Sequence, residues 1–203
     1  MRDLDELLDE AKTGTLTDEE INYVGKRLEA SLSSADPELY SIIYILGRAD
    51  MLDIPSNIYS VPRGLKYRPI IEKYLFYPDD PDVTIIALKT LCSYWDLTED
   101  YVQEISQFIK KVDWDVDGQI AIIAMSIAGE YLKYTLNKDK KLLQLLLDVW
   151  ESQYTQKEPK YDEIELESTY RAIARAVGEE WNSILESSEP QPKVLEKAQA
   201  VCR

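Results

Sequence analysis

Residues 80–134 read DPDVTIIALKTLCSYWDLTEDYVQEISQFIKKVDWDVDGQIAIIAMSIAGEYLKY, and their apolar side chains recur at the three- and four-residue spacing of amphipathic helices. Asp80 before Pro81 is typical of a helix start, because the aspartate can accept hydrogen bonds from free amides and proline lacks only a donor that has no partner there. Thr98 can cap a second helix. The apolar pattern resumes beyond Gly118, so the stretch predicts two successive helical hairpins.

Similar signals for helix starts and helix ends recur along the rest of the chain. A small residue follows an apolar run at places roughly 37 to 49 residues apart, namely Gly47, Cys92, Gly129 and Gly178. We expect each of these residues to end the first helix of a helix pair. Asp36 before Pro37 would open the first pair as Asp80 opens the second, while Asp117 and Glu167 occupy comparable first-turn positions in the others.

This alternation resembles a HEAT-type repeat array over roughly residues 36–187, through the period and punctuation of its helix pairs rather than through a specific motif. The resemblance implies an all-α fold, a short and irregular HEAT-like superhelix of about four helix pairs. Residues 1–34 would form N-terminal capping helices, 35–187 the repeats, and 188–203 a linker with a short C-terminal helix. We expect these segments to form one structural domain.

The chain is strongly acidic, with 38 acidic and 23 basic side chains among 203 residues and a formal charge of −15. Such a field repels nucleic acid, because phosphate binding needs Lys and Arg to displace counterions. It favours a basic partner, although acidity also serves solubility alone. We therefore expect no nucleic-acid partner.

The sequence predicts a cytoplasmic protein that has no membrane partner. The amino terminus is acidic where a secretory signal would be basic and then apolar, and the longest apolar run, 120–128, is too short to cross a bilayer. Cys92 and Cys202 fit neither a metal-binding spacing nor a disulfide framework, which favours a reducing compartment.

The usual parts of an active site are missing from the sequence. The absence of histidine removes imidazole as a base, as a partner of a nucleophile and as a metal ligand. The seven glycines form no phosphate-binding loop. We expect a non-enzymatic protein without a cofactor. A small-molecule enzyme subunit using the groove of the array is the alternative, and it would need two carboxylates in unequal environments.

The sequence DWDVDG, which contains Asp113, Asp115, Asp117 and Gly118, resembles the opening of an EF-hand calcium loop. The position that needs a bidentate glutamate holds Ala124 instead. Two interpretations remain open. The aspartates could form a weak calcium site, or Asp115 and Asp117 could cap the following helix and meet its positive end. We favour capping, and predict no metal.

Fourteen tyrosines and four tryptophans, against two phenylalanines, favour rings with a polar edge, which suit interfaces and also the turns of a solenoid core. Trp95 and Trp114 lie at turns rich in carboxylates, where aromatic rings and negative charges together could bind a basic surface. In repeats of this kind the second helices present the binding surface. The predicted partner-binding residues are Trp95, Asp96, Glu99, Asp100, Glu104, Trp114, Asp115, Asp117, Asp148 and Glu151.

An acidic, helical, cytoplasmic chain of this kind resembles toxin-immunity proteins. The resemblance implies that it neutralises a basic, nuclease-like toxin by covering it with an acidic surface. Fold alone does not give function, so an adaptor or assembly chaperone in a larger complex is the alternative. The sequence leaves the oligomeric state open.

Overall fold

The chain is mostly helical in the parts that a computed structural model describes, which are residues 2–14, 16–32, 36–49, 61–136, 138–155, 160–179 and 192–203. The α-helices of these ranges are α1 Leu4–Thr13, α2 Asp18–Ser31, α3 Leu39–Arg48, α4 Arg68–Ile71, α5 Pro81–Lys89, α6 Val102–Ile109, α7 Gln119–Thr135, α8 Lys140–Thr155, α9 Glu163–Ala176 and α10 Pro192–Cys202. No strand occurs in these ranges, so the prediction of an all-α fold is confirmed. None of the described helices combines the length and the apolar character needed to cross a membrane.

The chain divides into two compact units, residues 1–97 and 98–203. In the amino-terminal unit α3 is the central helix, since it packs against α1, α2 and α5. A helix buried on nearly all sides is apolar around most of its circumference. The buried residues of α3 are Leu39, Ile42, Ile43, Ile45, Leu46 and Gly47.

The starts of α2 and α5 follow capping residues of the sequence. The amide of Thr17 donates to Glu20 Oε2 at 2.8 Å and the amide of Glu20 donates to Thr17 Oγ1 at 3.3 Å, which is a capping box at the start of α2. The bond from Thr17 and the guanidinium of Arg2 lower the pKa of Glu20 to about 2. Asp80 caps α5 as predicted, with Pro81 in its first turn.

The prediction that small residues end the first helices is wrong for three of the four positions. Gly47 lies within α3, Cys92 within a π turn, and Gly129 within α7. At Gly129 a Cβ atom would lie 2.7 Å from Cα of Ala172, so this glycine lets α7 and α9 approach closely. Only Gly178, with a φ of +74°, follows the end of its helix in a left-handed conformation.

In the carboxyl-terminal unit α7 packs against α6 and α9, and α8 packs against α9 and α10. α9 begins with Asp162 as its N-cap, so Glu167, predicted in the first turn, lies in the second. The predicted short C-terminal helix is confirmed as α10, whose Val194 and Ala198 are buried. Residues 188–191 of the predicted linker lie outside the described part of the chain.

Candidate functional site

An acidic groove opens on the carboxyl-terminal unit, between the start of α6 and the end of α7. Its volume is about 450 Å³, and its lining residues are Glu99, Asp100, Val102, Gln103, Glu104, Tyr131, Lys138 and Asp139. Four of these side chains are carboxylates and one, Lys138, is a cation. The side chains therefore give the groove a negative charge at neutral pH.

One wall of the groove is shaped by the 3₁₀ turn Thr98–Tyr101 that precedes α6. Thr98 and Tyr101 are buried, whereas Glu99 and Asp100 between them are exposed. The opposite face of α6 is held in the core by Ile105, Phe108 and Ile109. This fixed inner face leaves the acidic face of the helix towards solvent.

The other wall comes from the end of α7 and the segment that follows it. Tyr131 is half-buried, and burial raises the pKa of its phenol, with the Asp139 and Glu99 carboxylates adding to the rise. The Asp139 Oδ1 atom accepts a hydrogen bond from the amide of Leu142 at 3.3 Å, in the first turn of α8. The ring of Tyr131 thus lies within electrostatic range of carboxylates from both walls.

The first turn of α6 and the last turn of α7 meet at the groove. The positive partial charge of the first and the negative partial charge of the second offset each other, so the side chains set the sign of the potential. Glu99 and Glu104 make no ion pair and no side-chain hydrogen bond within the described ranges. A carboxylate without a cationic partner remains available to an external cation. Both carboxylates line the same groove as Tyr131.

The DWDVDG turn uses its aspartates differently. Asp115 is buried, and its Oδ1 and Oδ2 atoms accept hydrogen bonds from the amides of Ile120 at 3.2 Å and Ala121 at 3.0 Å. Asp115 therefore caps α7. Asp113 and Asp117 are exposed. Among the described residues no group of three or more Cys, Asp or Glu side chains is arranged to hold a metal ion.

An ion pair between Lys111 and the buried Glu165 packs against this turn. Glu165 is fully buried, and its Oε1 atom lies 2.8 Å from Nζ of Lys111, outside the directions of a well-formed hydrogen bond. Its Oε2 atom accepts a hydrogen bond from the amide of Asp162 at 2.8 Å. Lys111 takes a left-handed φ of +67° and Gly118 does the same. A Cβ atom on Gly118 would lie 2.1 Å from the Glu165 carboxylate, so only glycine fits.

The structure brings Glu99, Asp100 and Glu104 together in the groove but places the other predicted partner-binding residues elsewhere. Trp95 is only 6% exposed, which corrects the expectation of a surface anchor. Its ring packs against Gly64, where a Cβ atom would lie 3.0 Å from Cζ2. Its neighbour Asp96 is exposed, in the amino-terminal unit.

Trp114 is half-buried and Asp117 exposed, whereas Asp115 is 4% exposed, so it too is corrected from a surface residue to a buried helix cap. Asp148 and Glu151 are exposed on α8 and do not line the groove. Glu151 Oε1 accepts a hydrogen bond from Nε2 of Gln199 on α10 at 3.0 Å, and Asp148 Oδ1 accepts one from Gln144 at 2.8 Å.

The sequence reasoning missed Tyr131, Lys138 and Asp139, which form the second wall. Asp139 carried a local signal, because an aspartate three residues before an apolar helical run is a favoured N-cap. Tyr131 carried none, since its position opposite Glu99 arises from the packing of α7 on α6.

Comparisons with protein-family models, with curated proteins and with solved structures found no match. The function is therefore inferred from the chemistry of the groove itself.

Proposed function

We propose that the protein binds a Lys- or Arg-rich segment of a partner protein in the acidic groove and catalyses no reaction. The observation that carries this proposal is the presence of Glu99 and Glu104 in the groove without an ion-pair partner in the described part of the chain. Because the oxygens of an unpaired carboxylate are not used by another cation of the chain, they can accept charge-assisted hydrogen bonds from a guanidinium.

Two further features favour a basic polypeptide over a small cation. Val102 and Tyr131 add apolar surface to the lining, which suits the methylene stem of Lys or Arg as well as its charged end. The formal charge of −15 would steer a basic protein towards this chain and raise the association rate at low salt.

In its more specific form, the proposal is that the helix pairs form a HEAT-like superhelix and that the protein acts in the cytoplasm as an immunity protein. The basic partner would then be a toxin of the nuclease type, whose own anion-binding surface would be covered by the groove and its surroundings. The acidity of the chain and its all-α fold support this form.

The proposal can be tested by capturing partners with the tagged protein at low salt. The groove variant is Glu99→Lys with Glu104→Lys, and the control is Glu29→Lys with Asp79→Lys, which makes the same change in net charge at exposed positions in the amino-terminal unit. We expect wild type and control to retain one basic protein, and the groove variant to bind it at least about tenfold more weakly.

Equal retention by the groove variant would contradict the proposal. If the retained protein is toxic when expressed alone, the immunity form is supported. If it belongs to a complex of many subunits, an adaptor role replaces the immunity form while binding through the groove stands.

A further inference from the structure

The guanidinium of Arg48, at the end of α3, lies beside two tyrosine rings. Its Cζ atom is 5.5 Å from the ring centroid of Tyr44 and 5.5 Å from that of Tyr94. The two rings meet edge to face at 6.3 Å, and Tyr40 stacks on Tyr44 at 6.4 Å. These four residues, Tyr40, Tyr44, Arg48 and Tyr94, form the Arg48 cluster.

Arg48 differs from the other described arginines of the amino-terminal unit, because each of those pairs with a carboxylate. The pairs join Arg2 to Glu10 and Glu20, Arg27 to Asp36 and Glu38, Arg63 to Asp18, and Arg68 to Glu72. Arg48 has no ion pair, and its buried Nε atom has no hydrogen-bond partner among the described residues. A buried charged donor without an acceptor is unfavourable unless an acceptor arrives from outside.

The backbone next to the cluster has an unusual conformation that places the ring of Tyr94 against α3. α5 continues into a π turn, Thr90–Tyr94, in which the amide of Trp95 donates to the carbonyl of Thr90 at 3.0 Å. Gly47 lets this turn approach α3, since a Cβ atom there would lie 2.5 Å from Thr90 Oγ1 and 2.9 Å from Cδ2 of Tyr94. Such π turns are rare and are often found at functional sites.

We propose that the Arg48 cluster binds an oxyanion, either a phosphate or a carboxylate group. The N–H donors of Arg48 form a planar edge that no carboxylate of the described residues occupies. That edge matches two oxygens of a carboxylate or phosphate, which a lysine ammonium cannot do. The site lies in the amino-terminal unit and does not depend on the proposed function of the groove.

The tyrosines suit the same ligand. Burial raises the pKa of Tyr40, and Tyr94 and Tyr44 add to the rise, so the Tyr40 phenol remains a protonated donor at neutral pH. Asp82 contributes to the same rise and is the carboxylate that would oppose an anion beside Tyr40. Its repulsion would limit the charge that the site accepts without removing the donors of Arg48.

The test is a titration followed by NMR of the full chain, at constant ionic strength maintained with sodium chloride. One arm uses inorganic phosphate and the other malonate, a dicarboxylate. We expect a saturable shift of the Arg48 Nε–Hε resonance and of the Tyr44 and Tyr94 ring resonances in at least one arm. The arm that saturates at the lower concentration identifies the preferred oxyanion.

The matched variants are Arg48→Lys, which keeps the charge but loses the planar edge, and Arg27→Lys, whose parent residue pairs with two carboxylates. From the ring and backbone resonances we expect Arg48→Lys to bind at least about tenfold more weakly and Arg27→Lys to bind as wild type does. Shifts that never saturate in either arm would overturn the proposal. Wild-type affinity in an Arg48→Lys protein with an unchanged thermal transition would also overturn it.

Discussion

Two acidic clusters look alike in the sequence and have opposite surroundings in the fold. In the groove, Glu99 and Glu104 have no cationic partner among the residues described. In the DWDVDG turn, Asp115 is buried and bonded to two backbone amides. Both clusters lie at the start of a helix, so the number of carboxylates does not distinguish them. What distinguishes them is whether free amides of the next helix lie within reach of a side chain.

The backbone explains this difference. Before α7, the left-handed φ of Gly118 turns the chain so that Asp115 reaches the first amides of the helix. Before α6, the 3₁₀ turn Thr98–Tyr101 leads directly into the helix, and Glu99 and Asp100 project outward from it. Asp115 in the first arrangement stabilises the fold, whereas Glu99 in the second has no ion-pair partner among the described residues and is available to an external cation.

The largest effect on stability is expected at Glu165, which lies beneath the DWDVDG turn. We expect Glu165→Ala to lower the free energy of unfolding by about 3 kcal/mol, because it leaves Lys111 without its partner and opens a cavity under Gly118. The side chain of Lys111 is 20% exposed, so water can compensate part of the loss.

Chemical denaturation measures this change, with Glu163→Ala as the control. Glu163 is an exposed glutamate in the same first turn of α9, and its removal should change stability by less than about 0.5 kcal/mol. Equal effects of the two substitutions would contradict the view that the buried Glu165 side chain stabilises the DWDVDG turn.

The next effect separates two aspartates of the same turn. Asp115→Ala should destabilise the protein by about 2 kcal/mol, because two amides at the start of α7 lose a buried acceptor. Asp117→Ala, at an exposed position, should change stability by less than about 0.5 kcal/mol. Thermal and urea unfolding of both variants provide the measurement. A larger loss from Asp117→Ala would mean that the cap has been assigned to the wrong residue.

Features set by neighbouring residues could be predicted from the sequence. The capping box of Thr17 and Glu20 and the Asp80–Pro81 start of α5 depend on hydrogen bonds within one turn, so residue types and spacing were sufficient. The capping interpretation of Asp115 had the same local basis.

Features set by contacts between helices could not be predicted in this way. Gly47 and Gly129 looked like helix ends, but their small size serves close packing against Thr90 and Ala172, which are distant in the sequence. For the same reason the α6 wall of the groove was found from its acidic face, while Tyr131 on α7 was not. Trp95 looked like a surface anchor, but Gly64 allows its ring to pack into the core.

The most direct test of the groove as a binding site is NMR shift mapping with a Lys- and Arg-rich peptide, using a peptide in which those residues are replaced by Gln as the control. We expect saturable shifts centred on residues 99–104, Tyr131 and 138–139, which weaken as salt is added because the contacts are ionic and exposed. The Gln peptide should produce none. Shifts centred on Asp113–Asp117, or spread over the acidic surface without saturation, would contradict the assignment of binding to the groove.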